Sequence, residues 1–106
     1  MTKPGYVPEV FLMESSAPDQ KSVGTEKTTI LYNTPDRVGL VLQNVHDTNI
    51  VSLSFGDNNP TLYKGVTLYP HEMFMMNECA FSAGKVKAIA SGEDTPIAIQ
   101  EFTQVD

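Results

Sequence analysis

Arg37–Gly56, RVGLVLQNVHDTNIVSLSFG, is the stretch on which the fold is decided. Its apolar residues recur with a period of two, which disfavours a helix. The first arm puts Val38, Leu40 and Leu42 on one face and Val41 and Val45 on the other. The second alternates Val51, Leu53 and Phe55 against Ile50, Ser52 and Ser54. Between them His46-Asp47-Thr48-Asn49 supplies the Asp and Asn that turns favour, because their side chains bond nearby backbone and tolerate a left-handed conformation. The stretch therefore reads as a β-hairpin, a fold nucleus that carries no chemistry of its own.

Downstream, turn signals separate further short strands. Gly56-Asp57-Asn58-Asn59-Pro60 is a loop, Gly65–Tyr69 a strand closed by Pro70, and HEMFMM another strand, soft and rich in sulfur. KVKAIAS alternates Val86, Ala88 and Ala90 against Lys85, Lys87 and Ile89. Gly92-Glu93-Asp94 reads as a hairpin-type turn into a last strand, TPIAIQEFT. Upstream, KTTILYN has the Thr, Ile and Tyr content of a strand, and Thr34-Pro35-Asp36 turns it into the opening stretch. Six to eight short strands at this spacing predict an all-β fold, a small antiparallel β-sandwich of jelly-roll or Greek-key type, over residues 27–106.

Residues 1–26 differ. Pro4, Pro8 and Pro18 break helices, and SSAPDQKSVGTE has loop composition. Yet Tyr6, Val7, Val10, Phe11, Leu12 and Met13 make the segment too apolar for a free tail. It reads as an extended N-terminal arm whose apolar residues bind a partner, with a short helix over Glu9–Ser15 as an alternative for part of it. Fully extended it would reach up to roughly 85 Å, enough to wrap its own sandwich or to cross onto a neighbouring subunit, the course the reading favours.

Composition narrows the function. The 106 residues suffice for one domain. A net charge of −6 with scattered basic residues argues against nucleic acid, because phosphate neutralisation needs clustered Lys and Arg. No window has the apolar length of a membrane helix. The opening residues carry a four-residue apolar run, Val10–Met13, too short for a signal peptide. With Cys79 as the one cysteine, no internal disulfide can form, and the expectation is a soluble product made in a reducing cytoplasm.

Candidate chemistry is thin. His46 and His71 are the only histidines, and on a strand His71 and Glu72 would point to opposite faces, so a shared metal ion is not expected. Cys79 has no basic neighbour to activate it, and Ser54, Ser82 and Ser91 lack a nucleophile-elbow context. The loop acids Asp57, Glu93 and Asp94 read as a solvated surface rather than a calcium site. The expectation is no catalytic residue, no cofactor and no metal: not an enzyme. Met73, Met75 and Met76 read equally as an adaptable partner surface or as core filling. Tyr63, Tyr69, Phe74 and Phe81 are the rings on which a sugar could stack.

The order of elements carries a resemblance. Arg37, Leu42-Gln43-Asn44, the polar turn Asp47-Thr48-Asn49, Phe55-Gly56, Gly65-Val66-Thr67-Leu68-Tyr69-Pro70, Val86–Ala90 and Ile97–Phe102 follow one another as in small β-sandwich modules of tailed bacteriophage virions. The chain resembles these over roughly residues 27–102. The pattern follows the proline with Gly-Glu, whereas this chain has Pro70-His71-Glu72, so that corner is expected to be shaped differently. The resemblance implies a structural protein without a catalytic residue. The leading expectation is a capsid decoration or cement protein on the capsid surface of a virion. Its partners would be the major capsid protein or other virion subunits, and it would form a homo-oligomer, a trimer being the form that matches local threefold positions. Alternatives are a carbohydrate- or receptor-binding module of a phage fibre or tail, and a head-tail assembly component.

Overall fold

The computed structural model describes residues 12–76 and 84–105. They form nine strands and no helix: β1 (Leu12–Ser15), β2 (Asp19–Val23), β3 (Thr28–Leu31), β4 (Arg37–Asn44), β5 (Val51–Phe55), β6 (Val66–Leu68), β7 (Met73–Met76), β8 (Val86–Ala90) and β9 (Thr95–Val105). One sheet has the order β9-β4-β7, with β1 and β2 lying end to end along the outer edge of β9. The other has the order β3-β8-β5-β6. The antiparallel pairs β2–β9, β3–β8, β4–β7 and β5–β6 are nested inside one another along the chain. A ribbon of nested pairs rolled into two facing sheets is a jelly roll, the double-sheet form of the expected β-sandwich.

The core lies between the sheets. Leu40, Leu42, Ile97 and Ile99 from the first meet Ile30, Val51, Leu53, Val86, Ala88 and Ala90 from the second, and Phe55 and Phe74 pack at the margin with ring centroids 5.5 Å apart. Burial alternates cleanly along β8, as KVKAIAS implies.

The opening stretch is corrected in one respect. Both strands exist with Leu40, Leu42, Val51 and Leu53 turned inward, but they do not pair with each other. β4 pairs with β7 and β9, and β5 with β6 and β8, so Val45–Ile50 is an arch between sheets and not a hairpin turn. The apolar faces of the two strands look at each other across the core instead of lying side by side. Gly92-Glu93-Asp94, expected as a hairpin-type turn, likewise belongs to a crossing, from β8 in one sheet to β9 in the other. Alternation sets which way side chains point; it does not name the partner strand.

A second correction concerns the N-terminal segment. Where a short helix was considered, Leu12–Ser15 is the strand β1, and β2 follows it along β9. Ser16–Pro18 bulges out between them. There the Ser16 N–H donates to Glu101 O (2.8 Å), while Ser16 Oγ takes the Glu101 N–H (3.0 Å) in place of a ladder carbonyl. The described part of the segment thus wraps its own sandwich. The polar composition of β2 suits an edge strand, and in it only Val23 is buried.

Each end of the sandwich is closed by a buried polar side chain. At one end Arg37, wholly buried, donates through Nε to Glu101 Oε2 (2.8 Å), through Nη1 to Gly84 O (2.9 Å) and through Nη2 to Tyr32 O (2.9 Å). At the other, buried Asn44 donates through Nδ2 to Asn49 O (2.8 Å) and Leu68 O (3.0 Å), and its Oδ1 accepts the His46 N–H (3.0 Å). His46 Nδ1 in turn accepts the N–H groups of Thr48 (3.0 Å) and Asn49 (2.9 Å), which places its proton on Nε2. The polar residues of the arch therefore fold it back on itself.

Candidate interaction surface

Among the described residues, β7 is the edge strand where the first sheet ends. The Asn44 N–H donates to Glu72 O (3.0 Å) and the Val45 N–H to Pro96 O (3.3 Å). These bonds set the alternation of the ladders: even residues of β4 face β7 and odd ones face β9. On β7, Phe74 accordingly directs its backbone to β4, while Met73 and Met75 turn their N–H and C=O groups outward. Their side chains stand on the outer face of the sheet, 51% and 69% exposed. Met75 lies opposite Val41, which lies opposite Gln100; Met73 lies opposite Gln43, which lies opposite Ala98. The strip continues into a shallow groove of about 180 Å³ that reaches Pro18 and Asp19 at the bulge.

The other edges are guarded. The β1–β2 edge carries exposed Glu14, Asp19 and Lys21, with Pro18 and a bulge. β3 has a register shift between Thr29 and Leu31, and β6 is three residues long between Gly65 and Pro70. Charges, prolines, bulges and shortness are the ordinary means by which edges avoid pairing with other chains. Among the described residues, Met73–Met76 has only its shortness. The methionines thus divide by parity: Met73 and Met75 form exposed surface, and Met76 packs against the core. The sequence weighed both roles but could not assign them without knowing the face of β7.

Of the arm residues expected to bind a partner, Leu12 and Met13 begin β1, opposite Val105 and Gln104; Tyr6, Val7, Val10 and Phe11 lie outside the described residues. Of the sugar-stacking rings, Tyr63 and Tyr69 are exposed, Phe74 is turned inward against Phe55 and cannot stack on a sugar, and Phe81 lies outside the described residues. Lys85 and Lys87 lie at and within the interior strand β8; their Nζ atoms reach Asp57, at 3.6 Å from Oδ1 and 3.1 Å from the carbonyl.

The loop chemistry is committed to local structure. Tyr69–Glu72 is a β-turn closed by the Glu72 N–H donating to Tyr69 O (2.9 Å), with Pro70 second and His71 third. His71 has φ +67°, so it occupies the glycine position of a type II turn, and the corner keeps the shape that Gly-Glu would give it. Its Nε2 lies 3.0 Å from Asp47 Oδ1, and Glu72 Oε1 accepts the Tyr69 N–H (2.9 Å). Glu93 accepts from the Thr25 hydroxyl (2.6 Å) and the Thr25 N–H (3.2 Å), bonds that hold its carboxyl below the usual value of 4.5. Among the described residues no three His, Cys, Asp or Glu side chains converge to hold a metal ion.

No family model matches the chain, and no curated protein matches it. Among solved structures, it is similar in fold to a subunit of Bacillus endospore appendages, described as a novel family of disulfide-linked pili. The TM-score is 0.54 and the sequence identity 8%, over 96% of this chain and 96% of that one.

Proposed function

We propose that this chain is a structural subunit of a multi-copy protein assembly, and within that class a cement protein seated on the outer surface of a viral capsid. The observation that carries the reading is the methionine strip: Met73 and Met75 are exposed on an edge strand of the described sheet, on the same face as Val41 and Ala98. Thioether side chains repack easily against a partner, and a small sandwich gains stability from burial at subunit contacts. The order of sequence elements shared with phage virion modules supports the capsid setting.

A filament is the second reading, favoured by the likeness in fold to a pilus subunit. A chain of disulfide-linked subunits needs two cysteines in each, and these 106 residues hold one. Such a filament would therefore be held by non-covalent contacts.

Light scattering of the purified protein with and without empty capsids tests the reading, and electron microscopy separates particles from fibres. Binding in many copies per particle is expected, and a monomer that never touches a particle overturns the capsid assignment. Deletion of residues 1–11 is the informative truncation, expected to leave the fold intact and weaken binding. Deletion through residue 26 removes buried Val23 and uncovers β9, so it is expected to unfold the domain.

A further inference from the structure

We propose that the loop 56–65 and the lysines around it form a docking face for an acidic protein surface, that of the particle on which the subunit is seated. The inference rests on the reading of the chain as an assembly subunit and names the face and the charge of that contact. The basic residues are scattered along the sequence, but the fold gathers four of the seven. Val86, Ala88 and Ala90 of β8 turn into the core, so Lys87 stands on the outer face of the second sheet, opposite Ser54. The loop lies over that face. Ser54 Oγ donates to Asn58 O (3.0 Å), Lys87 Nζ to Asp57 O (3.1 Å) and the Tyr63 N–H to Ser52 Oγ (2.8 Å). Lys27 Nζ donates to Asn59 Oδ1 (3.2 Å), and Lys85 Nζ lies 3.6 Å from Asp57 Oδ1. Lys64, exposed, lines an open groove of about 270 Å³ with Asn59, Pro60 and Thr61.

Charge sets this face apart from the rest of the molecule. Lys27, Lys64, Lys85 and Lys87 surround one loop carboxylate, Asp57, a net +3, while the rest of the chain, with three basic and twelve acidic side chains, carries −9. An ammonium has three N–H donors, and the loop takes one from Lys27 and one from Lys87, so both keep donors for a partner. Lysines offer compact point charges and not the planar fork with which arginine grips phosphate, so the face suits spread-out carboxylates. A nucleic acid running past it would meet the repelling remainder. The loop also presents a ring. Residues 61–64 form a β-turn closed by the Lys64 N–H donating to Thr61 O (3.0 Å), and its third residue, Tyr63, has φ +69°, where glycine is favoured. The bond to Ser52 holds Tyr63 in that costly conformation with its ring exposed. An aromatic anchor inside a charged rim is the anatomy of a protein–protein contact. The methionine strip lies on the outer face of the first sheet, so the two surfaces occupy opposite sides of the sandwich.

Binding of the full-length chain to immobilised poly-L-glutamate tests the face. The natural chain should bind despite its net charge of −6. Lys64→Glu should weaken binding about tenfold, because a like charge then sits at the contact. Lys21→Glu, on β2 at the edge of the other sheet, changes the net charge equally and should affect binding far less. The Lys64 side chain makes no hydrogen bond or ion pair among the described residues, so its reversal should leave the circular dichroism unchanged. No binding by the natural chain, or equal losses from the two reversals, overturns the proposal. Tighter binding to duplex DNA than to poly-L-glutamate overturns the assignment to a protein surface. Self-association abolished by Lys64→Glu overturns the particle as occupant and puts a second copy there. Empty capsids separate this contact from the proposed function. Capsid binding that survives Lys64→Glu overturns the contact and leaves the function standing, whereas binding to poly-L-glutamate through Lys64 by a chain that never touches a particle keeps the basic face and overturns the capsid reading.

Discussion

The two ends of the sandwich solve one problem with different chemistry. Where β4 begins, a buried cation, Arg37, gathers the Glu101 carboxylate and the carbonyls of Gly84 and Tyr32. Where β4 ends, a buried neutral amide, Asn44, gathers the carbonyls of Asn49 and Leu68 and the N–H of His46. Each satisfies backbone groups that the passage of the chain between sheets leaves out of the ladders, as buried polar groups require. The difference lies in what remains when the side chain is lost. Removal of Arg37 strands a carboxylate as well as carbonyls; removal of Asn44 strands neutral groups that the arch can partly rearrange to cover.

Arg37→Met should therefore cost the most, about 3–5 kcal/mol, the range for breaking a buried pair from one side. Denaturant unfolding measures it. The companion Arg37→Met/Glu101→Leu, which removes both charges, should recover part of the loss. If the double variant is no more stable than the single one, the carbonyl contacts outweigh the ion pair and the contrast between the two ends disappears.

Asn44→Ala comes next, at about 2–3 kcal/mol, because the buried Leu68 carbonyl and the half-buried Asn49 carbonyl lose their donor and the His46 N–H its acceptor. Asn44→Asp keeps the shape and the acceptor but turns an oxygen toward the Asn49 and Leu68 carbonyls, so it should be at least as damaging. An Asn44→Asp variant as stable as the natural chain would mean that packing, and not donation, holds this end.

What the sequence made legible follows from the same contrast. Strands with a purely apolar inner face, such as Val86, Ala88 and Ala90 or Ile97 and Ile99, stand out because burial on one side imposes alternation. Their partners do not, since β4 pairs with strands that follow it by about thirty and sixty residues and no local signal encodes that choice. β2 escaped notice because an edge strand that buries little needs no apolar face. The burial of Arg37 left no trace in the pattern, because a basic side chain is almost never wholly buried unless paired. Its partner Glu101 lies 64 residues further along the chain, beside Gln100 in β9, so no local signal joins the two. At the candidate surface, the methionine run was legible as unusual. Which of its residues face outward depended on the pairing of β7.

The Asn44 end also holds a residue in a conformation it would not choose. His71 sits at φ +67° with its N–H donating to Asn44 O (2.7 Å) and its carbonyl accepting from Gln43 Nε2 (3.1 Å). A non-glycine residue there is strained, and the exposed contact with Asp47 returns little. His71→Gly should raise stability by about 0.5–1 kcal/mol, after the added freedom of glycine in the unfolded chain is deducted. His71→Ala, which keeps the strain and loses the contact, should lower it. A destabilised glycine variant would assign the imidazole a larger part in the corner than its exposure suggests.

The smallest effect expected is a dependence on acid confined to this same end. Glu93 follows Gly92, whose carbonyl accepts from Thr95 Oγ1 (2.9 Å), and Thr95 Oγ1 accepts from Asn49 Nδ2 (2.8 Å), so the Thr25–Glu93 contact borders the network around the arch. The bonds from Thr25 favour the charged carboxylate and depress its folded pKa, whereas the unfolded chain titrates near 4.5. Below that value the unfolded state binds more protons, so the contribution is present in full above it and is lost as pH falls through the lower folded value. Thr25→Val should therefore lower the melting temperature slightly at neutral pH, with the gap from the natural chain closing as the solution is acidified past 4.5. A gap that stays constant with pH would assign the loss to the hydroxyl's packing and not to the charge on Glu93.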